Sequence, residues 1–152
     1  MEQIRLLMSN RILWSGIFAW AVAQILKALI HAAIYKSFKL ERLFGDGGMP
    51  SAHSATVTSM ATCTGIMYGL DSFQFAVTAM LAIIVMHDAC GVRLETGKQS
   101  KILNEIMDMF KSEGKLTLFS EDHLKEFVGH TPTQVVVGSL VGLAMGIISA
   151  FF

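Results

Sequence analysis

Charge is scarce in this chain and balanced where it occurs. Lys and Arg number 12, Asp and Glu 12, and charged residues fill only 16% of the 152 positions. A chain without net charge lacks the concentrated basic surface that displaces counterions, which excludes a nucleic-acid partner. Cysteine is equally scarce. Cys63 and Cys90 lie in apolar helical context without the paired spacing of a zinc or redox motif, and read as packing residues. Repeats and low-complexity segments are absent as well. What is present is apolar: 53% of the residues are hydrophobic, far from the balance of a soluble domain.

Four stretches are long and apolar enough to cross a hydrocarbon core, which takes about 20 helical residues. They run over roughly 12–35, 52–71, 73–92 and 133–152. The expected fold is all-α, a single integral-membrane domain over residues 1–152 built as a polytopic bundle of about four transmembrane helices. The first span is too long for a signal peptide and carries Lys27 and His31, so it is expected to be retained.

Only Gly69-Leu70-Asp71-Ser72 joins the second and third spans, whereas 36–50 and 93–132 are longer and polar, and fall on one side of a four-span bundle. Those connections hold Lys36, Lys39, Arg42, Arg93, Lys98, Lys101, Lys111, Lys115 and Lys125, against Arg5 and Arg11 near the N-terminus. The positive-inside bias puts the long connections in the cytoplasm and both termini outside, in a cell (inner) membrane. Within the last connection, Ile102, Leu103, Ile106, Met107 and Phe110 recur at helical spacing between Gly97 and Phe110, and Ser120-Glu121-Asp122 has the character of a second helix start. These short amphipathic helices are expected on the membrane surface or against the bundle. Gly138, Gly142 and Gly146 share one face of the last span and permit close approach of a neighbour, either another span or a second copy in a homo-oligomer.

This topology gathers the reactive residues at one membrane face. Lys27 with His31, the run Gly47 to Ser54, His87-Asp88, Arg93 with Lys98, and Gly129-His130-Thr131-Pro132 all converge there. Ionisable groups at a bilayer edge are costly, and are functional candidates for that reason. Pro50 suits the first turn of the second span, with Ser51 and His53 in that turn. Thr131 and Pro132 suit the cap and first position of the last span, with His130 just outside it. Two helix N-termini bearing Ser51 and Thr131, with Arg93, Lys98 and Lys27 nearby, can hold a tetrahedral anion. Two histidines can then divide attack on phosphorus from protonation of the leaving oxygen.

Met49-Pro50-Ser51-Ala52-His53-Ser54 resembles the P-S-G-H signature of the type-2 phosphatidic acid phosphatase and vanadium haloperoxidase superfamily. The order Gly-Gly-Met-Pro-Ser-x-His-Ser, Met-x-Asp-Ala-x-Gly-Val-Arg, Gly-His-Thr-Pro is similar to its small divergent branch of bacteria and plants, over roughly residues 15–148. The resemblance implies His53 as general acid and His130 as the nucleophile that forms a phosphohistidine. Gln134 stands where the superfamily has the acid that orients the nucleophile, and Asp88 is the candidate substitute. The first superfamily motif is absent around Lys36 and Arg42, and His123-Leu124 stands where a Ser-Arg pair belongs. Arg93 and Lys98 are then the candidates for the missing phosphate contacts.

The expected activity is removal of a terminal phosphate from a membrane lipid, such as phosphatidylglycerophosphate or a polyprenyl phosphate or diphosphate, with no cofactor and no metal. A non-catalytic lipid-phosphate binder or transporter with a degenerate pocket is the alternative. A metal site on His53, Asp88 and His130, and haloperoxidase chemistry, rank behind both.

Overall fold

The computed structural model describes residues 1–36, 48–112, 123–124 and 129–152. The helix start expected at Ser120-Glu121-Asp122 lies outside the described residues, as do Lys39, Arg42, Gly47, Lys115 and Lys125.

The chain is all-helical over the described residues, in the order α1 (Glu2–Met8), α2 (Arg11–Tyr35), α3 (Ala52–Tyr68), α4 (Phe73–Cys90), α5 (Val92–Ser112) and α6 (Pro132–Phe151). Their ends follow local chemistry. Asn10 caps α2 by accepting the Leu13 N–H at 3.1 Å, and Gly69, at φ +91°, stops α3. Ser72 caps α4 by accepting from Phe75 at 3.1 Å. The second expected span thus closes at Tyr68 because only glycine adopts the next backbone angle comfortably.

Among the described residues, three helical stretches are long and apolar enough to cross a membrane on their own, one in α2, one beginning with α4, and α6. The remaining long helix, α3, has 17 residues and is the most enclosed: Ala52, Ser54, Ala55, Ser59, Ala61, Cys63 and Thr64 are buried. It packs against α2, α4 and α6 at once. Small side chains let these backbones approach, and hydroxyls are tolerable where neighbours replace lipid. The result is a four-helix membrane bundle with its most polar member in the middle.

The register between helices sets what meets at each end. Ser59 Oγ donates to the Ser15 carbonyl at 3.0 Å, and the Lys27 stem runs beside Gly48, so α2 and α3 are antiparallel. Gly138, Gly142 and Gly146 face the carbonyls of Ser51, Ala55 and Ser59 in turn, so α6 runs parallel to α3. A Cβ on any of the three would overlap the facing oxygen. Of the two neighbours the glycine face permits, α3 of the same chain is the one that packs against it, backbone to backbone.

Helix α5 starts earlier than its apolar pattern suggested, directly after the Gly91 turn. Ile102, Leu103, Ile106, Met109 and Phe110 are exposed along it, whereas Gly97 and Asn104 are buried.

Candidate functional site

Two helix starts lie side by side at one end of the bundle. Ser51 is the N-cap of α3: its Oγ accepts from the Ser54 N–H at 3.3 Å and from the Ser54 hydroxyl at 3.0 Å. Pro50 therefore precedes the cap rather than occupying the first turn, because a hydroxyl can satisfy an otherwise unpaired N–H and a proline ring cannot. His53 still falls in the first turn. The Ser51 N–H donates to the Gln134 carbonyl at 3.1 Å, which ties the start of α3 to the first turn of α6.

The α6 start forms as its sequence suggests. Thr131 and Gln134 make a reciprocal capping box, with Pro132 in the first turn. Gln134 Oε1 accepts the Thr131 N–H at 3.1 Å and lies 3.2 Å from His130 Nδ1. A carbonyl oxygen can only accept, so Nδ1 carries the proton and, in the neutral ring, Nε2 carries the lone pair. The orienting contact belongs to Gln134.

His130 is nearly enclosed, at 3% exposure. Its backbone N–H donates to the Ala89 carbonyl at 2.9 Å, beyond the last turn of α4's own hydrogen bonds. Gly129, at φ +89°, lies against the backbone of Arg93 and Leu94 so closely that a Cβ would collide with it. The nucleophile candidate is thereby fixed from three sides, by α4, the start of α5 and α6. The His53 and His130 rings meet edge to face, with centroids 5.9 Å apart and planes inclined at 62°. Burial pushes the His130 pKa below its ordinary value, and the charge of Lys27 and the nearby His53 act in the same direction. Hydrogen bonds with Gln134 and the Gly48 backbone oppose this without reversing it.

The cations separate. Lys27 is buried at 7% exposure, its stem along Gly48 and its charge felt at His130. Gln24, one turn earlier on α2, is buried too, so these two polar residues of the helix face inward. Arg93 instead reaches back 2.6 Å to Asp88, and both side chains remain more than 40% exposed. That contact supplies the partner a carboxylate needs beside the C-terminal carbonyls of α4. It also gives Asp88 a partner other than His130. Lys98 pairs with Glu95 at 2.7 Å on the exposed face of α5. Among the described residues no three His, Cys, Asp or Glu side chains gather around one point.

Two residues take positioning roles that motif spacing does not assign. Ser54 braces the Ser51 cap from within the helix. Asn104 donates to the Leu124 carbonyl and accepts the Leu124 N–H, each at 2.9 Å, and so fastens Leu124 to α5. A lone asparagine inside an apolar helical pattern was its only signal.

Comparison with known proteins is consistent across nearly the whole chain. The pattern that defines the Divergent PAP2 family matches residues 8–145. The uncharacterized membrane protein YuiD of Bacillus subtilis (strain 168) is 35% identical over 154 residues, covering 96% of this chain and 98% of the relative. No solved structure matches.

Proposed function

The chain belongs to the divergent PAP2 family, and from that membership and the geometry of its two histidines we propose that it is a membrane phosphatase that removes a terminal phosphate from a lipid. The observation that carries the proposal is the His53–His130 pair, 5.9 Å between ring centroids, with His130 held by Gln134 through Nδ1.

Such a spacing lets both rings touch one tetrahedral anion. In the proposed reaction His130 Nε2 attacks phosphorus, the bond from phosphorus to the ester oxygen breaks, and protonated His53 gives its proton to that oxygen. Water then attacks the phosphohistidine, His53 recovers a proton from it, and inorganic phosphate leaves with His130 neutral again. The lowered pKa of His130 favours the form that can attack. Lys27, already inside the bundle, balances charge on the transferring group. Arg93, whose backbone lies against Gly129, and Lys98 are proposed to meet the rest of the headgroup. The site is assigned to the cytoplasmic leaflet of the cell membrane, where phosphatidylglycerophosphate or a polyprenyl phosphate can reach it.

Gln134 in place of a carboxylate favours the second reading, a lipid-phosphate binder without turnover, because an amide cannot stabilise imidazolium charge. The two readings part on one measurement. Purified protein in detergent is expected to release phosphate from these lipids, and His130→Ala to lower the rate by at least about a hundredfold. Saturable lipid binding with no release in either protein would establish the binder instead.

A further inference from the structure

Gln24 poses a question that the two histidines leave unanswered. Its side chain is buried at 9% exposure, and its Oε1 finds no hydrogen-bond partner among the described residues. A buried acceptor left unpaired costs about 1–3 kcal/mol, so an interior position for it calls for a reason. Placement suggests one. The register that sets Ser15 beside Ser59 and Lys27 beside Gly48 sets Gln24 level with Ser51, where the starts of α3 and α6 meet. Lys27, roughly 4.5 Å along the same helix, faces the His130 region.

An unfilled acceptor at the level of the two helix starts does not suit a phosphate oxygen, which is also an acceptor. It suits a donor carried by the same molecule. We propose that Gln24 is a specificity-determining residue that accepts a hydrogen bond from a headgroup hydroxyl, so that the site takes a lipid whose phosphate sits on a glycerol-type carbon beside a free hydroxyl. A prenyl phosphate, with no such hydroxyl, leaves the acceptor unpaired and is discriminated against. This rests on the lipid-phosphate reading of the site, although it does not require turnover.

The test sets a glycerol-type lipid phosphate against the same lipid with that hydroxyl replaced by hydrogen, in mixed micelles with the full chain. Relative binding is read by competition, and phosphate release is followed in parallel. The wild type is expected to favour the hydroxyl-bearing lipid about tenfold, and Gln24→Met to reduce the ratio to within about twofold. Because both lipids meet the same preparation, the ratio is independent of how much of the variant folds. No wild-type preference, or a preference unchanged in Gln24→Met, would overturn the proposal. Equal weakening toward both lipids would also overturn it, since it would mean the amide serves the phosphate itself. A hydroxyl preference without phosphate release would uphold the role of Gln24 while removing the hydrolytic reading.

Discussion

Oε1 of Gln134 receives the Thr131 N–H at 3.1 Å and meets His130 Nδ1 at 3.2 Å, so one atom both starts a helix and sets a histidine tautomer. Gln134→Glu keeps both contacts and adds a negative charge. It is expected to raise the His130 pKa, visible as a shift of the ring titration by NMR and of the acid limb of the rate profile toward higher pH. Gln134→Leu removes both contacts and is expected to cost about 1 kcal/mol of stability from the cap alone. The lowered pKa of His130 also makes stability depend on pH. As pH falls below 6.5, the unfolded ring takes up its proton before the folded one. The contribution is thus fully present above 6.5 and is lost as pH falls toward the lowered folded value. Thermal unfolding in detergent between pH 7.5 and 5.5 should show this loss, and His130→Gln should flatten it. Gly129→Ala meets both an unfavourable φ of +89° and the α5 backbone, and should destabilise by about 3 kcal/mol in the same assay.

The fold depends on how closely α3 and α6 approach, because their contact carries one histidine on each side. Gly142→Ala places a methyl against the Ala55 carbonyl and Thr58, and is expected to cost about 2 kcal/mol and to lower phosphate release as the helix starts separate. The α5 element has a different weak point. Asn104→Ala removes both hydrogen bonds to Leu124, and hydrogen exchange at the Leu124 amide should accelerate about tenfold, with little change in the spans. Capping chemistry made several helix ends legible: Thr131-Pro132, Ser72 and Gly69 are local signals, read without knowing the fold. The position of Pro50 was less legible, since proline and serine both suit a helix start, and the choice rested on which N–H the Ser51 hydroxyl satisfied.

For the whole molecule, the proposed orientation is open to direct test. In a chain with both native cysteines replaced, Lys98→Cys should react with a membrane-impermeant thiol reagent only in inside-out vesicles, and Ser9→Cys only in intact cells. The reverse pattern would move the site to the outer face. The sequence by itself determined the all-helical membrane class, a count of about four spans with their approximate limits, and the family, because hydropathy, spacing and motif order are properties of neighbouring residues along one chain. The tertiary structure alone decided partners. It gave the glycine face of α6 to α3, Asp88 to Arg93, the orienting contact on His130 to Gln134, and the buried position to Lys27 while Lys98 stayed exposed. Each of these depends on the register between helices distant in sequence, and that register is set by how small side chains let backbones meet, which no local pattern encodes.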